Sequence, residues 1–155
     1  MANELHGTYD FAKVALIVGT RQISGFESGT EITFERDEMS FSKKVDVDGS
    51  VTRARTNNNA GKATFTLTQY SPSNKYLQNL LNIDERTGAG VFPVKCVDRQ
   101  NPMLELAIAL RAWISKPANR VFGIEAGPRE WVIETADQTH PVSYTHLTLP
   151  TIYSV

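Results

Sequence analysis

The sequence predicts a mainly β fold, an antiparallel β-sandwich or barrel with one short flanking α-helix and a projecting β-hairpin. Seven or more short segments are apolar throughout or alternate apolar and polar residues, as strands do. A single Ser-Pro start followed by apolar residues at helical spacing predicts the helix. An Asp-Gly dipeptide between two very polar strand patterns predicts the hairpin. The length of 155 residues suits one domain.

The first two predicted strands differ in how far they are buried. Residues 14–18 are apolar at every position, which suits a strand covered on both faces. A glycine-rich connection follows at residues 19–29. Residues 31–35 then alternate, so we expect Ile32 and Phe34 to face inward from a half-buried strand.

The hairpin is predicted over residues 39–56, with Asp48 and Gly49 at its turn. Its apolar residues lie at odd positions, and a turn or bulge near residues 36–38 would absorb this change of parity. Its outer half is very polar and carries six charged residues, so little of it can pack on a core. We therefore expect the hairpin to project from the body and to end in the Asn-rich loop 57–61.

The middle of the chain predicts a strand and then the helix. Residues 62–70 place threonines on one side of a strand, and Phe65 with its apolar neighbours on the other. Ser71 is a good N-cap, and Pro72 suits the first helical position. The amphipathic helix is expected to end at the glycines that begin with Gly88.

The second half of the chain returns to strand patterns. Residues 91–97 and 130–136 predict two strands, and residues 121–124 suggest a shorter one between them. Residues 104–114 have the length of a helix, but all their even-numbered positions are apolar. This alternation favours a long strand.

Composition excludes several classes of protein. Sixteen Lys and Arg against seventeen Asp and Glu give a net charge of -1, which argues against a dedicated nucleic-acid or anionic-membrane binder. No apolar run approaches the ~20 residues that span a bilayer, so a cytoplasmic protein is expected. The single Cys96 cannot form an internal disulfide and is expected to be a small buried hydrophobe.

Catalytic and metal-binding patterns are missing from the sequence. The three histidines, His6, His140 and His146, lie near the termini, away from Cys96 and from the serines of the predicted body. No Cys pair and no HExxH motif is present. The glycines of residues 19–29 lack the spacing of a phosphate-binding loop. We therefore expect no enzyme, no cofactor and no metal.

Charged residues cluster in two places. The acidic cluster consists of Glu27, Glu31, Glu35, Asp37 and Glu38. A glycosidase would need two such groups at a fixed separation, but a solvated strand edge is the simpler interpretation. The basic residues Arg53, Arg55 and Lys62 flank the Asn-rich loop without aromatic residues for base stacking, so they suit acidic residues of another protein better than nucleic acid.

Because the two clusters have opposite charge, they allow head-to-tail self-association, with a merely solvated hairpin as the alternative. The candidate inter-subunit residues are Lys43, Lys44, Asp46, Asp48, Arg53, Arg55, Asn58 and Lys62.

Four short motifs carry a family resemblance. They read DGSV at residues 48–51, KATFTLT at 62–68, SPSNKYL at 71–77 and REWVIE at 129–134. In this order they resemble the tail tube proteins of contractile-tailed bacteriophages, over roughly residues 3–137. None of the motifs is catalytic.

The resemblance implies a non-enzymatic structural subunit of the phage virion tail, assembled in the host cytoplasm. Such subunits form hexameric rings that stack into a hollow tube, with sheath and baseplate proteins as partners. DNA passes through without specific binding, and no membrane is involved. The long hairpin, here residues 43–62, reaches the adjacent ring. Strand edges become the contacts within a ring, and a weakly charged lumen would not hold DNA.

The C-terminal segment departs from the family pattern. Residues 138–155 contain no Lys, Arg, Asp or Glu. Residues 143–150 resemble a translated sequencing adaptor, so residues 1–137 are predicted to form the domain and residues 138–155 a disordered or non-native tail. The alternative is a genuine extension that docks on a neighbouring subunit.

Two other functions fit the same fold. The first is a different ring component of a phage tail or secretion tube. The second is a monomeric carbohydrate-binding β-sandwich, which would present Trp113 or Trp131 as a sugar platform. We expect these tryptophans to pack in the core or at a subunit interface instead.

Overall fold

A computed structural model describes residues 4–5, 7–100 and 106–141. Within these ranges the chain forms ten β-strands and one α-helix, and a short 3-10 turn at Phe11–Lys13 precedes the first strand. The elements are β1 Val14–Val18, β2 Arg21–Gln22, β3 Thr33–Arg36, β4 Phe41–Val45, β5 Val51–Arg55, β6 Gly61–Leu67, α1 Ser73–Thr87, β7 Phe92–Asp98, β8 Leu106–Ile114, β9 Arg129–Thr135 and β10 Gln138–Thr139.

Eight of these strands form one antiparallel sheet, and the other two form a separate hairpin. The order along the sheet is β2, β1, β7, β8, β9, β6 and β3, with β10 paired to β8 beside β9. Strands β4 and β5 pair only with each other. Because β2 and β3 lie at opposite edges, the described strands are sandwich-like and do not close into a barrel. This confirms the predicted mainly β fold with one flanking helix.

Strand β8 is a strand, as predicted, but its inward-facing residues change parity along its length. Ala109 and Ala112 are both fully buried, whereas Leu110 between them is 65% exposed. The cause is a bulge, because two residues of β8 lie opposite the single residue Pro93 of β7. Proline has no N–H for the ladder, and a bulge lets a strand bend. The apolar alternation therefore identified the strand, but Leu110 at an even position faces solvent.

The hydrophobic core lies between the sheet and the helix. Leu16 of β1, Phe65 of β6 and Leu77 of α1 are each at most 1% exposed. Polar contacts fix the helix on this core, since Tyr76 Oη donates to the carbonyl of Val18 at 2.9 Å. Asn74 of the helix also accepts a hydrogen bond from Trp131 Nε1 of β9 at 2.9 Å.

The ends of the helix follow the predicted signals. Ser71 Oγ accepts a hydrogen bond from Ser73 N at 3.2 Å, and Pro72 already has helical backbone angles. The predicted cap is therefore present, although the regular helix begins at Ser73. At the other end Gly88 has a φ of 72°, and its N–H donates to the carbonyl of Asp84. Glycine adopts this left-handed conformation without the strain that a Cβ would add.

One predicted strand is absent and one short strand is added. Residues 121–124 do not form a strand and contribute only an isolated bridge between Phe122 and Ala126. Strand β10 lies at Gln138–Thr139, directly after residue 137, where the domain was predicted to end. The remainder of the predicted tail, residues 142–155, lies outside the described residues, so its nature stays a prediction.

Candidate interaction surface

The β4–β5 hairpin stands apart from the body of the protein. All ten of its strand residues are exposed. The turn has the predicted Asp-Gly chemistry, with Gly49 at a φ of 91° and Asp46 N donating to the carbonyl of Ser50 at 2.7 Å. Ser50 N donates to Asp48 Oδ1 at 2.9 Å, and this hydrogen bond lowers the pKa of Asp48. The structure thus confirms a projecting polar hairpin.

One face of the hairpin combines cationic and apolar side chains. Side chains of residues directly opposite each other in an antiparallel pair point to the same face. The register pairs Phe41 with Arg55, Lys43 with Arg53, and Val45 with Val51. The two valines are 59% and 61% exposed, so the apolar part of this face is open to solvent. We call these six residues the cationic face.

An aromatic ring organises the cations of this face. The guanidinium carbon of Arg53 lies 4.2 Å from the centroid of the Phe41 ring, and that of Arg55 lies 5.5 Å from it. Such stacking is worth about 0.5–1 kcal/mol at exposed sites. Lys43 lies directly opposite Arg53, a like-charge pair that weakens the hairpin. In the part of the chain that the structure describes, none of the three cations forms an ion pair.

The other predicted interface residues divide between the hairpin and the body. Lys44 lies on the opposite face of the hairpin, across from Thr52, and Asp46 and Asp48 lie at the turn. Asn58 Oδ1 accepts a hydrogen bond from Ala60 N at 3.0 Å and so shapes the base of the hairpin.

Lys62 does not belong to the hairpin. It lies in β6 within the large sheet, opposite Glu35 of β3 and Glu134 of β9. The structure therefore brings together Lys43, Arg53 and Arg55, and it separates Lys62 from them.

A buried glutamine ties the base of the hairpin to the last strand. Gln138 is fully buried, and its backbone N donates to the carbonyl of Asn59 at 2.8 Å. Its own carbonyl accepts from Arg36 Nε at 3.0 Å and from Arg36 Nη2 at 2.7 Å. Arg36 and Asn59 lie on the two chain segments that enter and leave the hairpin. Sequence reasoning missed Gln138 because it begins the charge-free segment, and no local pattern marks it.

One residue of the acidic cluster lies at an open trough of about 1120 Å³. Glu31 lines this trough together with Phe11, Phe34, Cys96 and His140. Cys96 and His140 are 44 positions apart in the sequence, and no pattern predicted that they would line the same cavity. Burial raises the pKa of the Cys96 thiol to about 11, with a further contribution from Asp98, and burial together with Arg36 lowers the pKa of His140. A catalytic cysteine needs the opposite shift, since the thiolate is the nucleophile.

Cys96 is expected to react slowly with thiol reagents. Because its thiol is half-buried with a pKa of about 11, little thiolate exists at pH 8. Labelling with an aromatic disulfide reagent at pH 8 should be at least about tenfold slower in the native protein than in urea. Equal rates in the two conditions would show that the thiol is accessible and its pKa ordinary.

The two tryptophans occupy different environments. Trp131 is 2% exposed, and its Nε1 donates to Asn74 Oδ1 of the helix at 2.9 Å. It therefore packs in the core, as expected, and cannot serve as a sugar platform. Trp113 of β8 is half-buried. Across the described ranges, no group of His, Cys, Asp or Glu side chains could hold a metal ion, and no helix is long and apolar enough to cross a membrane.

Several solved structures share the arrangement of the sheet and helix. One is the PVC sheath/tube terminator of an extracellular contractile injection system in its extended state. It has a TM-score of 0.63 and 10% identity, and the match covers 88% of this chain and 98% of that chain. A second is the anti-feeding prophage cap, which terminates the AFP tube, with a TM-score of 0.61, 11% identity, and 92% and 97% of the two chains covered.

A third similar structure is the PVC sheath-tube complex in the extended state. Its TM-score is 0.64, its identity is 11%, and the match covers 90% of this chain and 95% of that chain. At these low identities the three likenesses establish the fold alone. No curated protein matches the chain significantly in sequence.

The family model of the bacteriophage PhiTE tail tube protein matches residues 7–139. The match includes β10, in agreement with the ordered position of Gln138 and Thr139. Because it also spans the large sheet, the helix and the projecting hairpin, the chain belongs to the bacteriophage PhiTE tail tube protein family.

Proposed function

We propose that this chain is a non-enzymatic structural subunit that polymerises as stacked hexameric rings into a conduit for DNA. The observation that carries the proposal is the hairpin, which stands outside the large sheet and presents an exposed cationic face. Exposed valines, a stacked phenylalanine and unpaired cations together suit a protein surface with an apolar centre and acidic surroundings. The hairpin part of residues 43–62 accordingly bridges one ring to the next.

Contacts within a ring would use the edges of the large sheet. Strand β3 pairs with β6 on one side only, and β2 covers only the end of β1 at the other edge. Unpaired edges are ready templates for pairing with another chain. Joining β3 of one subunit to the β1–β2 edge of the next would satisfy both edges and continue the sheet around the ring.

The charge of the chain suits a passage for DNA. A net charge of -1 supplies no excess of cations to neutralise phosphates, so DNA would pass without being held. Sheath and baseplate proteins complete the proposed assembly, located in the virion tail and formed in the host cytoplasm. The fold shared with a sheath-tube complex and with tube terminators supports this assignment.

Electron microscopy of the purified protein tests the proposal. We expect rings or tubes with a central channel, and we expect their number to rise with protein concentration. Tubes should form without added DNA, because the contacts lie between copies of the chain. A protein that stays monomeric at high concentration and binds glycans would overturn the proposal.

A further inference from the structure

A second exposed apolar surface lies on the loop between β8 and β9. Val121, Phe122 and Ile124 are 59%, 80% and 106% exposed. The loop is held at both ends, because Ala118 is buried in the core and Gly127 N donates to Gln69 Oε1 at 2.9 Å. The loop is therefore anchored at both ends while its apolar side chains are exposed to solvent. We call residues 120–127 the apolar loop.

The apolar loop and the hairpin lie at opposite ends of the same strand pair. In the register of β6 and β9, Gly61 is opposite Thr135 and Leu67 is opposite Arg129. The hairpin joins β6 at the Gly61 end, and the apolar loop joins β9 at the Arg129 end. At about 3.3 Å per residue, the seven residues of β6 separate the two attachments by roughly 20 Å.

Each of the two surfaces combines exposed apolar side chains with charges of both signs, so each offers partners to the other. The hairpin tip carries Val47, which is 109% exposed, between Asp46 and Asp48, and the cationic face lies along the strands behind it. The end of the sheet that bears the loop carries the exposed Arg120, the exposed Glu125 and Glu130, and Glu27, whose N donates to the carbonyl of Thr66.

Arg129, the cation nearest to these acids in sequence, is occupied inside its own subunit. It is 8% exposed, donates to the carbonyl of Gly127 at 3.4 Å and lies 5.9 Å from the Phe122 ring centroid. Carboxylates at this end are therefore available to cations of another copy.

We propose that the apolar loop of one copy receives the hairpin tip of a second copy. The inference rests on the proposed function and identifies the surface that the hairpin contacts. Because the two surfaces lie at opposite ends of one subunit, the contact is heterologous and repeats along an axis without closing. Exposed apolar residues at both ends would then be buried together in every subunit of the tube.

Cysteine cross-linking tests which surfaces meet. The double variant Val47→Cys with Ile124→Cys, oxidised in assembled tubes, should give a ladder of disulfide-linked multimers on a denaturing gel. Each single variant should give none, since the native Cys96 is half-buried with a raised pKa. Dimers from Val47→Cys alone would show that hairpins meet each other, and tubes without a ladder would show that the loop is not the receptor. Either result overturns the inference while leaving the tube intact.

A charge substitution gives an independent readout with a matched control. Ile124→Asp should raise the protein concentration needed for tube formation at least about tenfold, which corresponds to about 1.4 kcal/mol. Leu110→Asp, at a 65% exposed aliphatic residue away from the loop, should leave that concentration unchanged. Equal effects of the two variants would overturn the inference. If the unaltered chain forms no tubes at all, the proposed function fails instead.

Discussion

Reversing the charges of Arg53 and Arg55 to glutamate is expected to abolish tube formation while leaving the fold unchanged. Both residues lie on the exposed hairpin, pair only with the other hairpin strand and make no ion pair among the described residues. Close charge pairs across interfaces couple by about 1.5–7 kcal/mol, so reversal should raise the assembly concentration by about 100-fold or more. Electron microscopy measures assembly, and circular dichroism with thermal unfolding measures the fold.

The matched control reverses two exposed lysines elsewhere, Lys75 of the helix and Lys95 of β7. It changes the net charge by the same amount but should leave the tubes intact. Tubes formed normally by the Arg53 and Arg55 variant would show that the cationic face makes no contact. Loss of the fold in that variant would show instead that the hairpin packs on the core.

Removing residues 142–155 is expected to leave stability and assembly unchanged, whereas removing residues 138–155 should destabilise the protein. The longer truncation deletes the N–H of Gln138 that donates to the carbonyl of Asn59. It also deletes the Gln138 carbonyl that accepts two hydrogen bonds from the Arg36 guanidinium. Hydrogen bonds to charged groups contribute about 1.5–3 kcal/mol each, so a loss on the order of 3 kcal/mol or more is expected. Urea unfolding of both truncated chains measures the difference.

The substitution Gln138→Ala separates the contribution of the Gln138 side chain to stability from that of its backbone. The alanine keeps the bonds to Asn59 and Arg36, so it should cost less than the longer truncation, about 1–2 kcal/mol. If both truncated chains unfold at the same urea concentration as the intact chain, Gln138 does not anchor the hairpin. If the shorter truncation alone prevents assembly, residues 142–155 are a functional extension and their identification as read-through is wrong.

The bulge in β8 is a point at which the continuous sheet can bend. Leu110 and Arg111 form the bulge opposite Pro93, and Ala136 N donates to the carbonyl of Arg111 at 2.8 Å. The irregularity therefore continues from β7 through β8 into the junction between β9 and β10. Strands that bend at such corners can contribute to both layers of a sandwich. The hairpin base lies beside this corner, where Gln138 links β10 to Arg36 and Asn59.

Local patterns were sufficient for most of the secondary structure. Alternation identified the strand that buries Phe65, and capping residues identified both ends of the helix. The Asp-Gly turn identified the hairpin. Its polar strands have too few apolar residues to pack on a core, which identified it as a projection. These features depend on residues a few positions apart, so periodicity and turn chemistry report them directly.

The family was also accessible from the sequence, through motifs spread from residue 48 to residue 134. Three of the eight candidate residues, Lys43, Arg53 and Arg55, share one face of the hairpin. They share a face because side chains alternate between the two faces of a strand and because the turn fixes which residues of the two strands lie opposite each other.

Other features depended on residues that meet only in the folded chain. The parity of β8 depends on Pro93 in the neighbouring strand, and the role of Gln138 depends on Arg36, about a hundred positions earlier. Lys62 lies apart from the cationic face because it pairs inside the large sheet. Sequence therefore reported the local conformations and the family, because both are encoded in neighbouring residues. Tertiary pairing decided the sheet order, the anchor of the hairpin and the two opposite apolar ends, because long-range contacts leave no periodic signal along the chain.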